Sequence, residues 1–195
     1  EQILIPYSGK KLQSGSACYW KVRIWDEKNR SSEWSPAAAF SIGLLNDSDW
    51  QADYILYKNS TGQSVSPQFY KSFELNEIPE RAFLYVNSLG YHEAYLNGRK
   101  LGKEVLTPAV AQFSKRSQVV TYNLTSQIVS GENNLIIWAG RGWYAPGLPG
   151  VVADGPVIRA QINGMAQGKL TAILKTDSTW KARSSGYFTL GTWKP

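Results

Sequence analysis

RAFLYVNSLGYHEAYLNGRKL, residues 81–101, reads as an antiparallel strand, a short excursion holding the only histidine, His92, a second strand and an Asn97–Gly98 turn. Asn-Gly tolerates positive φ at both centres of a type I′ turn, whose twist matches that of the flanking strands. The stretch predicts a sheet protein, and the chain on either side agrees. Short aromatic and β-branched runs between turn formers predict strands at 54–58, 68–75, 81–88, 91–96, 119–124, 133–139, 158–162, 170–176 and 181–183. Loops are expected at 61–67, 107–116 and 141–156, and one helical turn at 124–130 ahead of Gly131. The fold class is therefore all-β, a β-sandwich of jelly-roll type from about residue 46 onward.

Composition supports that reading. The 195 residues suffice for one or two domains with real cores, and 8 Trp and 11 Tyr suit strands packed face to face. No stretch keeps a helical period, and no apolar run approaches the ~18 residues of a membrane span. The net charge of +6 is spread over the chain, and no nucleic-acid motif accompanies it. Nucleic acid is excluded as a partner on that pattern, whereas an acidic polysaccharide is compatible with it. One cysteine, Cys18, excludes an intrachain disulfide, and its strand-like setting predicts a buried structural thiol. One His and one Cys cannot make a usual zinc site.

Residues 1–45 form a first unit. YWKVRIW at 19–25 alternates as a half-buried strand, DEKNRSSEWS at 26–35 is a polar turn, and AAAFSIGL at 37–44 is a second strand. This resembles the last strands of a fibronectin type III-like sandwich, incomplete as it stands because such a sandwich needs about seven strands. NDSDWQA at 46–52 joins it to the second unit, 46–195. The first residue is neither Met nor the start of a charged-then-apolar leader, so the chain reads as part of a longer one and the lack of a signal peptide is uninformative.

In the second unit Gly90, Tyr91, Glu93, Tyr95, Leu96, Asn97, Gly98, Leu101 and Gly102 form a strand-turn-strand pattern, followed by a Leu-x-Pro element at Leu106-Thr107-Pro108. Val120 to Thr125 then give a Val-x-Tyr-Asn-Leu-Thr strand, and Gly131 to Gly142-Trp143-Tyr144 a Gly-x-Asn strand that runs into Gly-x-Gly-Trp-Tyr. In that order these elements resemble the N-terminal domain of bacterial α-L-rhamnosidases, which implies a galactose-binding-like jelly roll. The resemblance implies a non-catalytic accessory region of a glycosidase whose helical catalytic barrel and its two carboxylates lie elsewhere. It implies a parent enzyme that is secreted, periplasmic or at the cell surface and removes terminal α-L-rhamnose from plant polysaccharides or glycosides. The partners implied are that catalytic domain and a rhamnose-containing carbohydrate, with no membrane span. The competing class is a non-enzymatic cell-surface module for carbohydrate capture or adhesion.

Glycoside hydrolysis needs two carboxyl groups flanking one bond. Glu93, Glu104, Asp154 and Asp177 sit on separate turns, so no catalytic residue is expected. The family resemblance allows calcium, but Lys103-Glu104 stands where relatives carry Asp, and Pro108-Ala109-Val110-Ala111 where they carry Pro-Gly-Trp-Thr. A hard cation wants about six to eight oxygens, so no cofactor is expected. The loop RGWYAPGLPGVVADGP at 141–156 is the expected contact surface, because Trp and Tyr faces stack on sugars or dock domains while Arg and Asp bind hydroxyls. The candidate carbohydrate or interdomain contacts are Tyr91, His92, Arg141, Trp143, Tyr144 and Asp154. For His92 a structural hydrogen-bonding role competes with ligand contact.

Overall fold

The computed structural model describes residues 4, 6–58 and 65–188. The chain divides into two compact units, Glu1–Trp50 and Gln51–Pro195. Residues 59–64, which hold most of the loop expected at 61–67, lie outside the described residues.

In the first unit β1 (Ala17–Trp20) pairs antiparallel with β2 (Ala38–Ser41). The strand expected at 19–25 is regular only as far as Trp20, and the reason lies in the serines opposite. Val22 and Ile24 donate their N–H groups to the hydroxyls of Ser35 and Ser32, at 3.0 and 3.1 Å. Their carbonyls accept the backbone N–H groups of the same two serines, both at 2.8 Å. Side-chain oxygens thus replace half of the ladder's carbonyls, and extended pairing continues without sheet regularity. The polar turn is tied by Asp26, whose carboxylate accepts the N–H groups of Lys28 and Arg30. The Arg23 guanidinium lies 4.7 Å from the ring centres of both Trp25 and Trp34, a cation–π sandwich. Cys18 is half-buried in β1 rather than enclosed.

The second unit holds β3 (Ile55–Leu56), β4 (Val65–Leu75), β5 (Arg81–Leu89), β6 (Tyr91–Leu96), β7 (Arg99–Lys100), β8 (Val119–Asn123), β9 (Gly131–Gly140), β10 (Val157–Ala166), β11 (Lys169–Lys175) and β12 (Lys181–Phe188). All pairings are antiparallel. One sheet runs β11-β10-β5-β8 with β3 beside β10, and the other runs β12-β4-β9-β6-β7. Inward residues of both sheets meet in one core: Leu84, Val86, Ile158 and Ile162 face Phe69, Leu96, Leu135 and Ile137. This is the all-β jelly-roll sandwich the sequence predicts.

The hairpin turn forms as expected, with φ of 51° at Asn97 and 78° at Gly98. It joins β6 to β7. By contrast β5 and β6 belong to different sheets, and Gly90 alone carries the chain from one to the other. Its φ is +115°, and a Cβ there would lie 2.4 Å from the Gly140 carbonyl oxygen, so no side chain fits. His92 consequently sits inside β6, not in an excursion before it.

The asparagine pair at 133–134 serves this turn. Asn97 Oδ1 accepts the Asn134 N–H at 2.8 Å, and Asn97 Nδ2 donates to Asn133 Oδ1 at 3.0 Å. Asn133 is wholly buried and also bonds both backbone groups of Val129. It thereby fastens the helical turn in which Gln127 and Ile128 donate to the Leu124 carbonyl. Strand β10 runs past its expected end because Asn163 and Gly164 still pair, with Phe83 and Ala82. At Gly164 a Cβ would lie 2.7 Å from Ile173 Cδ1, so the isoleucine would have to shift to admit one.

The outward face of the β12-containing sheet follows from register. One row across it reads Lys181, Tyr70, Ile136, Tyr95, Lys100, and the next reads Arg183, Gln68, Trp138, Glu93.

Candidate functional site

The ends of β5 and β9 and the starts of β6 and β10 gather at one end of the sandwich, where the loops 101–118 and 141–156 meet. Tyr144 pins the two together. It is 0% exposed, its ring stands edge-on to Phe113 at 5.2 Å, and its hydroxyl accepts the Val152 N–H at 3.1 Å. Gly150 presses on the other loop so closely that a Cβ would lie 2.2 Å from the Ser114 nitrogen. Tyr144 is thus a pillar inside the loop pair, turned away from solvent.

Trp143, next in the chain, points the other way and is 42% exposed. With Tyr91, Pro108 and Ala109 it borders a pit of about 10 Å³, which holds roughly one water. A pit of that size admits no sugar ring. Gly142 lies flat on the Tyr91 ring, where a Cβ would come within 2.7 Å of Cδ2. Arg141 pairs with Asp154; the arginine is largely covered, whereas the Asp154 side chain is 77% exposed. Tyr91, Arg141, Trp143 and Asp154 therefore share one end of the sandwich, and Trp143 and Asp154 are its most accessible members.

His92 belongs to the interior. It is 3% exposed, with Ser88 Oγ 2.7 Å from Nδ1 and Tyr122 Oη 3.0 Å from Nε2. Ser88 also donates its hydroxyl proton to the Gly90 carbonyl at 3.1 Å. One proton arrangement satisfies all three groups: Nδ1–H donates to Ser88, and Tyr122 O–H donates to Nε2. Burial depresses the His92 pKa to about 4 and, aided by the Glu104 and Glu93 charges, pushes Tyr122 up to about 12. The His92 N–H holds the Thr107 carbonyl at 2.7 Å, so the histidine anchors the loop 101–118. Ser88 carries no motif in the sequence, and Tyr122 only its place in the strand element at Val120 to Thr125; they meet His92 because two sheets converge.

The carboxylates have local occupations. Glu93 takes the Lys100 ammonium and the Tyr95 hydroxyl, which together hold its pKa low. Glu104 accepts the Lys103 N–H at 2.9 Å, and Asp177 the Thr179 N–H at 2.8 Å. The donor set of the 101–118 loop does not fit a calcium ion, because Glu104 is its sole carboxylate and Lys103 stands beside it. Among the described residues no three His, Cys, Asp or Glu side chains gather as metal ligands.

Residues 77–193 match the model of the alpha-L-rhamnosidase N-terminal domain. The chain belongs to that family. Residues 1–46 match a second model, the Rha78A-like N-terminal immunoglobulin domain. An α-L-rhamnosidase of Formosa agariphila is 31% identical over 95% of this chain and 22% of its own length. One of Alteromonas sp. (strain LOR) is 33% identical over 93% of this chain and 21% of its own. The solved α-L-rhamnosidase of Dictyoglumus thermophilum superposes with a TM-score of 0.83 at 28% identity, over 94% of this chain and 22% of that one. The chain thus spans about a fifth of the length of the curated relatives it matches. The family resemblance drawn from residues 90–102 and 131–144 holds, and the chain corresponds to the N-terminal accessory region of an α-L-rhamnosidase. No helix among the described residues is long and apolar enough to cross a membrane.

Proposed function

We propose that this region is the support of a catalytic domain in a longer chain that hydrolyses terminal α-L-rhamnose from plant polysaccharides or glycosides. In that reading the domain division near residue 46 separates a fibronectin- or immunoglobulin-like sandwich end from the jelly roll. The parent works outside the cytoplasm, secreted, periplasmic or on the cell surface. The surface built by Tyr91, Arg141, Trp143 and Asp154 touches rhamnose-containing carbohydrate. The observation that carries the contact role is the split orientation of two neighbouring aromatics: Tyr144 is sealed inside the loops, while Trp143 turns outward next to a paired Arg and Asp. An exposed indole beside hydroxyl-binding charges is the composition that sugar stacking requires.

The test is a titration of the chain with L-rhamnose and a rhamnogalacturonan oligosaccharide, with and without calcium, read on the Trp143 indole N–H. Saturable shifts that Trp143→Ala removes support the contact role. No shift up to about 50 mM sugar overturns it and leaves the loops to the catalytic domain. The parent's activity is tested separately, by rhamnose release from an aryl α-L-rhamnoside.

A further inference from the structure

The outward face of the β12-β4-β9-β6-β7 sheet carries a groove that the loop site does not use. It measures about 430 Å³ and is lined by Gln68, Tyr70, Ile136, Lys181, Ala182 and Arg183. Ordinary small-ligand sites fall in the range of about 300–1,000 Å³. Its floor is the half-buried Tyr70 ring next to Ile136, and register places these two side by side on one face. The Tyr70 hydroxyl donates to Asn134 Oδ1 at 2.6 Å, which fixes the ring as a platform. Its wall is the edge strand β12, where Lys181 and Arg183 stand opposite Tyr70 and Gln68. Residues two apart in a strand point to one side and lie about 7 Å apart, so the two cations converge on the platform's rim.

The arginine is oriented as well. Its Nε donates to Gln68 Oε1 at 3.0 Å, leaving the two terminal nitrogens for a bidentate acceptor. Among the described residues the groove lining includes these two cations and no carboxylate. Of the face's carboxylates, Glu93 lies in the strand beyond β9 and is taken by Lys100, while Glu74 and Glu132 stand opposite each other four residues along the ladder from Tyr70 and Ile136. We infer that this groove binds a carboxylated saccharide, a uronic acid residue whose ring lies on Tyr70 and Ile136 with its carboxylate held by Lys181 and Arg183. A protein neighbour suits the groove less well, since charged residues are depleted at the buried cores of protein interfaces. The inference is independent of the Trp143 loop, because the two surfaces share none of these residues.

The experiment titrates the chain with tri-galacturonic acid, with its fully methyl-esterified form and with a sulfated neutral trisaccharide. The backbone amides of β4 and β12 are followed by NMR at about 150 mM salt. The expected result is saturable binding of the acid with millimolar affinity, at least tenfold weaker for the methyl ester. Binding of the acid should also weaken at least tenfold in the Lys181→Gln/Arg183→Gln double variant. Both residues are exposed on an edge strand, so that variant folds as the parent does. Equal binding of acid and ester, unchanged binding by the double variant, or tighter binding of the sulfated sugar overturns the carboxylate assignment. No binding of any saccharide overturns the site and leaves the face to a protein neighbour. Trp143→Ala should bind the acid as the parent does, which separates this test from that of the loop.

Discussion

Acid should unfold the jelly roll partly through one residue, His92. The imidazole is enclosed, with both nitrogens engaged by Ser88 and Tyr122, and burial lowers its pKa from 6.5 to about 4. The folded value lies below the unfolded one, so this stabilising contribution is complete above the unfolded pKa. It is lost as pH falls towards the folded pKa. The full difference amounts to roughly 3 kcal/mol, and about 2 kcal/mol of it disappears between pH 7 and pH 4.5. Glu93 and Glu104 face the same network through Tyr122 and also titrate in acid, so wild type alone cannot isolate the histidine. The comparison is therefore with His92→Gln, which keeps those carboxylates and removes the imidazole. Urea unfolding, followed by the buried β9 amides Leu135 and Ile137, should show wild type losing about 2 kcal/mol more than the variant over that range. At a slope near 2 kcal/mol per molar this is about 1 M in the urea midpoint. Equal losses in the two proteins, within about 0.5 kcal/mol, would refute the reasoning. So would a His92 ring proton that titrates near 6.5.

Three further substitutions test the frame around the loops. Gly90→Ala should cost about 3 kcal/mol or more, since its Cβ meets the Gly140 carbonyl at 2.4 Å in a left-handed backbone; a fall in the urea midpoint measures this. Asn133→Ala strips a wholly buried amide from both backbone groups of Val129 and should cost about 2–3 kcal/mol. Amide exchange should report it first, with protection falling across residues 124–130 before β5. Asp154→Asn should change stability by less than about 1 kcal/mol, because its carboxylate is 77% exposed and such pairs contribute little. A larger loss on thermal melting would mean that the ion pair braces the loop.

Strand positions were legible wherever apolar alternation met a turn former, as in β6, whose bounds coincide with residues 91–96. Periodicity failed where pairing is carried by unusual partners: the serine hydroxyls facing Val22 and Ile24, and the polar Asn163-Gly164 end of β10. The loop site was half legible for a related reason. Composition marks Trp143 and Tyr144 alike, and only the fold decides that one is a pillar and the other a surface. The sheet-face groove was not legible at all. Gln68, Tyr70, Ile136, Lys181 and Arg183 lie on three strands up to 115 residues apart, as the Gln68–Arg183 bond measures. Each alternation in β4 and β9 has an apolar residue on both faces, so sequence alone cannot say which set faces the core. Register settles it, by placing Phe69 and Ile137 inward and Tyr70 and Ile136 in a row with Lys181. An aromatic row left outward on a sheet already filled on its inner side has no structural debt to discharge in folding. Its cationic rim is then best read as chemistry for a ligand.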